Sequence, residues 1–272
     1  MATLGRRRAL GQHFLRDRGI ARLIAETAIK EATKSQCTTL LEIGPGQGAI
    51  TLPILELLES DGHALKDFIL SERDDKLALR WKEHPQGTVP FRVDAGDFLE
   101  LAEVRWLKST PLAVVSNLPY SMGTAILTRL ARYPQQIPVM VLMFQAEVAR
   151  RLRAEPSTKS WGSLSVWIQN RWDVVKLKSV PPGAFQPPPE VDSEVVVLTR
   201  RQTPHVPVVE TPEGEANWES LLKACFAHRR KMLRSGLAGT RWLKSLQVSG
   251  VEGTKRAEAL TWDEWRLLLT SI

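Results

Sequence analysis

The sequence predicts an α/β fold, a largely parallel sheet covered by helices on both faces and followed by a small helical segment. Three features of the 272-residue chain carry this reading. Apolar runs of strand length, Leu40-Leu41-Glu42-Ile43, Phe68-Ile69-Leu70, Leu112-Ala113-Val114-Val115 and Val139 to Phe144, are nearly continuous, as they are where both faces of a sheet are buried. Helical periodicity falls between them, for example at Ile50, Leu52, Ile54-Leu55 and Leu57-Leu58. After Arg200 a stretch rich in Pro, Thr and Val reads as a linker, and residues 217–272 carry helical patterns punctuated by Gly236, Gly239, Gly250 and Gly253. The division expected is a sheet domain over residues 1–202 and a small, basic helical domain over 203–272.

In chain order, Leu15 to Ala32 has an amphipathic helical pattern (Ile20, Leu23-Ile24, Ala28) with Asp17 as its cap. The run Leu40–Ile43 enters Gly44-Pro45-Gly46-Gln47-Gly48-Ala49 and then a helix. Strand, glycine loop, helix is a nucleotide-type site, because the backbone must turn sharply and admit a ligand closer than a Cβ allows. Phe68-Ile69-Leu70 ends at Ser71-Glu72, and Val89-Pro90-Phe91-Arg92-Val93 ends at Asp94-Ala95-Gly96-Asp97. The fourth run delivers Ser116-Asn117-Leu118-Pro119-Tyr120. Two late strands are expected at Leu164–Ile168 and Glu194–Thr199, joined through a proline-rich string.

Gly44, Gly46 and Ala49 fit the dinucleotide pattern G-x-G-x-x-A loosely, so a nicotinamide or flavin enzyme is one reading. Glu42, just before the first glycine, would repel a pyrophosphate but suits a cation. Glu72 can accept ribose hydroxyls in either case, and Asp94 would sit near the exocyclic amine of an adenine ring. Asn117-Leu118-Pro119-Tyr120 is needed by no dehydrogenase. The order favours S-adenosylmethionine. The fourth loop suits a planar base with an exocyclic NH2: the Asn117 side-chain oxygen and the Leu118 carbonyl accept its protons, Pro119 restricts Leu118, and Tyr120 offers a stacking face.

Composition bounds the class. A hydrophobic content of 43% with 25% charged residues is ordinary for a globular enzyme, and the longest apolar runs fall short of the roughly 20 residues of a membrane span. Two cysteines, Cys37 and Cys225, make neither a disulfide framework nor a metal knuckle, so no metal is expected and a reducing cytoplasm fits. The net charge is +7, with a pI near 9.6. From Ser220 to Val251 there is no acid, while Lys223, Arg229, Arg230, Lys231, Arg234, Arg241 and Lys244 are basic, which reads as a phosphate-facing segment. Arg6-Arg7-Arg8, Arg150, Arg151 and Arg153 extend it. Phe14 and Phe185 are candidate aromatics near a target base, whereas Trp218, Trp242, Trp262 and Trp265 read as core.

The chain resembles the ribosomal RNA adenine dimethyltransferase family known as KsgA or RsmA. The matching segments are Gly11-Gln12-His13-Phe14-Leu15, Glu42-Ile43-Gly44-Pro45-Gly46, Glu72-Arg73-Asp74, Asp94-Ala95, Asn117-Leu118-Pro119-Tyr120, Gln145-Ala146-Glu147-Val148, Trp161 to Val166 and Pro181 to Ser193. The last, with its run of prolines ending in Val191-Asp192-Ser193, is the most specific and points to the small-subunit branch rather than to 23S rRNA relatives. The family often has Asn at the place of His13, Tyr at Trp161 and Gly at Ser116. The resemblance implies a Rossmann-like S-adenosylmethionine-dependent fold of seven strands with the last antiparallel. It implies cofactor contacts from His13, Leu15, Glu42, Gly44, Gly46, Glu72, Asp94, Ala95 and Asn117, and no metal. It also implies dimethylation of two adjacent adenines in the loop of the 3′-terminal hairpin of 16S rRNA, within a pre-small-subunit particle. Nothing in the sequence demands more than a monomer. A DNA adenine methyltransferase and a non-enzymatic RNA-binding assembly factor are the rivals. The first would need a larger recognition region than the tail after Arg200, and the second would not need Glu42, Gly44, Glu72, Asp94 and Asn117 together.

Overall fold

The structure, a computed structural model, describes residues 13–60, 63–208 and 211–271. Its strands are β1 (Phe14–Leu15), β2 (Thr39–Ile43), β3 (Asp67–Glu72), β4 (Phe91–Ala95), β5 (Leu112–Asn117), β6 (Val139–Gln145), β7 (Trp172–Val180), β8 (Phe185–Gln186) and β9 (Ser193–Arg200). Seven of them form one sheet in the order β4-β3-β2-β5-β6-β9-β7, and β1 pairs with β8 in a separate two-stranded sheet. From β4 to β6 the pairs are parallel, and β9 joins β6 antiparallel. This is a Rossmann-like fold with a seven-stranded, mostly parallel sheet, as expected. The chain winds outward from β2 through β3 and β4, then returns to lay β5 on the other side of β2. Such a reversal opens a crevice at the carboxyl ends of the strands.

Both faces of this sheet are covered, which explains the continuous apolar runs. Every residue of β2 is buried. Leu40, Ala113, Val115, Val139 and Val141 share a core with Ile24, Ala25 and Ala28 of the helix Arg18–Lys34, while Leu41, Ile69 and Val114 alternate to the opposite face and are equally buried. The expected cap holds, with Asp17 Oδ1 accepting from the Ile20 N–H at 2.9 Å, but the helix begins at Arg18 rather than at Leu15, which belongs to β1.

The described residues fall into two compact units, one holding residues through Ala149 with Val174–Arg200, the other Arg150–Asp173 with Arg201–Ile272. A single cut after residue 202 misses the opening segment of the second unit. Asn170 shows why that segment stays with the C-terminal residues: its side chain both donates to the Val206 carbonyl (3.1 Å) and accepts the Val206 N–H (2.7 Å). The stretch after Arg200 is therefore held by its backbone, and its helix, Pro212–Ala227, begins before Asn217, capped by Thr211. Trp161, Trp218, Trp242 and Trp265 are each at most 1% exposed and fill this unit. Trp262 is half-buried, stacked on His205.

One expected strand is a helix. Leu164–Ile168 lies within the buried helix Ser163–Gln169, with Ser165 Oγ accepting from the Gly162 N–H at its start. A five-residue apolar run buried on all sides has no period to separate helix from strand. The strand that takes its place is β7, whose exposed Asp173, Val175, Lys176 and Lys178 disguise it as a polar segment and suit an edge.

Candidate active site

At the carboxyl ends of β2, β3, β4 and β5 lies a cavity of about 680 Å³, lined among others by His13, Phe14, Leu15, Glu42, Gly44, Gly46, Glu72, Asp97, Phe98, Asn117, Leu118, Pro119 and Tyr120. All of these belong to the first unit.

The loop after β2 is shaped by the carboxylate at the end of β3. Glu72 Oε2 accepts the Gly46 N–H (2.9 Å) and Oε1 accepts the Asp74 N–H (2.8 Å). Burial raises its pKa, and these backbone donors partly offset that. With the Arg73 N–H also acting on the carboxylate, acceptor capacity still remains for an incoming hydroxyl. Trp81 Nε1 donates to the Gly46 carbonyl at 3.0 Å, and its ring lies so close beneath Gly48 that a Cβ there would sit 2.7 Å from Cη2. Gly48 also has φ +93°, so only glycine fits. Phe14 closes over the loop from the other side, 3.1 Å from where a Gly46 Cβ would be.

Glu42 is the electrostatic anomaly. It is 2% exposed, and burial pushes its carboxyl up to about 8, with Glu72 adding to the rise and the nearby Thr51 hydroxyl opposing it. The Thr51 hydroxyl lies near enough to act on the carboxyl, yet neither it nor Glu42 Oε2 makes a hydrogen bond of good geometry. A buried acid with an orphan oxygen on a cavity wall is a site for a cationic or hydrogen-bond-donating ligand.

The Asn-x-Pro-Tyr loop is held at four points. Ser116 Oγ donates to the Ile43 carbonyl (2.5 Å), and Asn117 Nδ2 donates to the His13 carbonyl (3.2 Å). The Pro119 carbonyl accepts from Met122 and Gly123, opening the helix Gly123–Leu130. The Tyr120 hydroxyl meets Ser193 Oγ at 2.6 Å, and burial raises its pKa while Ser193 opposes the rise. Because a carbonyl can only accept, the Asn117 amide is oriented with NH2 toward His13, which leaves Oδ1 as its acceptor. The His13 ring lies 5.3 Å from that of Tyr120 and donates through Nδ1 to the Pro187 carbonyl (2.9 Å). The proline string thus meets the N-terminal strand, with Phe14 opposite Gln186 and Leu15 opposite Phe185.

The cavity therefore gathers His13, Leu15, Glu42, Gly44, Gly46, Glu72 and the whole 117–120 loop. Asp94 and Ala95 are not on its wall. They remain in the ladder, opposite Ser71 and Glu72, and Asp94 lies 4.0 Å from Arg92 Nε. The chain leaves the sheet at Gly96, which has φ +130°, and Asp97 and Phe98 line the cavity instead. The glycine before Asp97 was the usable signal. Phe185 is 3% exposed and packs in the core, so it cannot meet a base, while Phe14 remains partly accessible at the cavity. Arg229 is engaged by Glu258 (3.0 Å) and the Thr158 carbonyl (2.9 Å), whereas Arg230, Lys231 and Arg234 are exposed. Arg150 and Arg151 lie on the helix Ala146–Leu152 that leaves β6, the first exposed and the second, like Arg153, half-buried. Arg6, Arg7 and Arg8, with Gly11 and Gln12, lie outside the described residues.

Fold and site together define a methyltransferase of the Rossmann-like class. The description Ribosomal RNA adenine dimethylase matches residues 4–272. A Ribosomal RNA small subunit methyltransferase A from Chromobacterium violaceum is 38% identical over 93% of this chain and 90% of its own length, and one from Alcanivorax borkumensis is 35% identical over 94% and 86%. Among solved structures, the 23S rRNA methyltransferase ErmE aligns with TM-score 0.64 at 25% identity, covering 95% of this chain and 98% of that one. A dimethyladenosine transferase from Plasmodium falciparum reaches 0.69 at 21% identity over 94% and 96%, a likeness of fold. The chain belongs to the ribosomal RNA adenine dimethylase family. Among the described residues no helix is long and apolar enough to cross a membrane, and no His, Cys, Asp or Glu cluster could hold a metal.

Proposed function

We propose that this protein dimethylates N6 of two adjacent adenines in the loop of the 3′-terminal hairpin of 16S rRNA, using S-adenosylmethionine. It acts on a pre-small-subunit particle, as a metal-free monomer in the cytoplasm. The observation that carries the reading is the Asn117 amide, turned by the His13 carbonyl so that its oxygen is the available acceptor.

The cavity fits the cofactor: Gly44 on its wall has φ +70° with nothing of the protein within 4 Å of its Cβ position, and Glu42 presents an orphan carboxyl oxygen. When bound, the cofactor supplies an electrophilic sulfonium methyl. Glu42 would hold the cationic methionine end, the remaining lone pairs of Glu72 the ribose hydroxyls, and Asp97 the exocyclic amine of the adenine. The target adenine's N6 lone pair is delocalised into its ring. Asn117 Oδ1 and the Leu118 carbonyl, by accepting both amino protons, favour a more tetrahedral nitrogen, while Tyr120 stacks on the base. The nitrogen becomes acidic once methylated and loses its proton late to these acceptors or to water, so no strong base is required. The base must be drawn out of its stack. Exposed Arg230, Lys231 and Arg234, with Arg150, supply phosphate contacts.

Methyl transfer from labelled S-adenosylmethionine to small-subunit particles, free rRNA and duplex DNA tests this, with Asn117→Ala as control. The expected result is transfer to the ribosomal substrate, abolished in the variant. Preference for DNA, or full activity of Asn117→Ala, overturns it.

A further inference from the structure

We propose that Ser116 is a positioning residue for methyl transfer, its hydroxyl pinning the acceptor strand to the cofactor strand where the sheet opens; this rests on the function proposed above. The parallel register of β2 with β5 ends at Glu42 opposite Val115. Each strand continues to pair on its far side, Ile43 with Ser71 on β3 and Asn117 with Met143 on β6. The two central strands therefore diverge just before their loops begin, and the cavity lies in the gap.

The Ser116 hydroxyl spans the point of divergence. It is 1% exposed and donates to the carbonyl of Ile43, itself 4% exposed, at 2.5 Å. Ile43 precedes Gly44 of the cofactor loop, and Ser116 precedes Asn117 of the acceptor loop. One buried side-chain bond thus links the backbone that seats the methyl donor to the backbone that seats the attacked nitrogen. Water does not reach it to compete. Without the hydroxyl the buried carbonyl is one donor short, and the two loops are joined only through strand pairing deeper in the sheet.

Reaction across such a gap depends on the separation and alignment of the reacting atoms far more than binding does. Removing the strap should lower kcat and spare affinity for either substrate. Ser116→Ala and Ser116→Gly, compared with wild type and Asn117→Ala in the particle assay, provide the test. S-adenosylhomocysteine affinity by calorimetry, Tm, and amide exchange at Gly44 and Asn117 are measured on the same proteins. The expected result is a loss of about tenfold in kcat with both the S-adenosylhomocysteine Kd and the RNA KM within about threefold of wild type, and faster exchange at both amides. A kcat within about twofold of wild type in either folded variant overturns the proposal, provided Asn117→Ala is inactive. So does a loss that follows Tm and disappears on cooling, because that is a stability effect. Full activity of Asn117→Ala instead overturns the acceptor-loop reading, and this inference with it.

Discussion

Replacing Glu42 by Gln should abolish one specific pH dependence of folding. In the folded protein the Glu42 carboxyl titrates near pH 8, against an ordinary value of 4.5. The folded state holds this proton more tightly than the unfolded chain does, so the associated stabilisation is complete below pH 4.5. It is lost as pH rises through 8. Within that window the loss is about 1.4 kcal/mol per pH unit. Between pH 6 and pH 9 the group titrates over the last two units below its folded value, so wild type should lose about 2 to 3 kcal/mol from this residue alone. Gln is nearly isosteric with the neutral acid and does not titrate. Urea unfolding of both apo proteins at pH 6, 7, 8 and 9 measures the difference, which should already be about 2 kcal/mol at pH 6 and grow to about 4 to 5 kcal/mol at pH 9 in favour of Glu42→Gln. Curves that stay parallel across the range would refute the assignment of a neutral, desolvated carboxyl. The same substitution should weaken S-adenosylmethionine binding, most clearly at pH 8, where the cation draws Glu42 into its ionised form.

Gly48→Ala forces a Cβ into Trp81 at a backbone φ of +93°, and a cost of about 1 to 3 kcal/mol in unfolding free energy is expected, with cofactor affinity falling in calorimetry. Tyr120→Ala should reduce kcat while leaving S-adenosylhomocysteine affinity largely unchanged; selective loss of cofactor binding would count against stacking on the target base. Tyr120→Phe keeps the ring but leaves Ser193 Oγ without its partner, so single-turnover rates should fall less than in the alanine variant. Changing Arg230, Lys231 and Arg234 together to Ala should flatten the salt dependence of RNA binding by about 2 to 3 in log–log slope, and an unchanged slope would remove these residues from the RNA surface.

The fold was legible where chemistry and periodicity coincided. β2 and β5 announced themselves because a strand buried on both faces has no polar positions, and because Gly44 and Asn117 mark where each ends. The same reasoning failed at Leu164–Ile168, where total burial erases the difference between two periods, and at β7, whose exposed lysines carry the polarity of a loop. In the site, Glu42, Glu72 and the 117–120 loop were readable as residues that only a ligand explains. Asp97 was passed over for Asp94, because periodicity does not fix a strand's end to within two or three residues, although Gly96 before Asp97 marks where the chain leaves the sheet. Phe185 illustrates a different limit. An aromatic in a proline-rich string looks available, yet it lies opposite Leu15, a partner 170 positions away that local sequence cannot reveal. The roles of His13 and Ser193 were hidden for the same reason, since each acts through a residue remote in the chain.

The pairing of β1 with β8 has a consequence for how the enzyme comes into being. The cavity floor, from β2 through the 117–120 loop, is complete once the first 126 residues are in place, but the strand that lies over it has no partner until residues 185 and 186 are made. During synthesis the N-terminal peptide must wait while about 170 residues are added, with His13, Phe14 and Leu15 uncovered. Contacts of such sequence separation form late and slowly. A nascent chain would therefore own a recognisable cofactor floor before it could orient Asn117, which takes its bearing from His13. Competence for methyl transfer is thus tied to the finishing of the sheet domain rather than to the appearance of its catalytic loop.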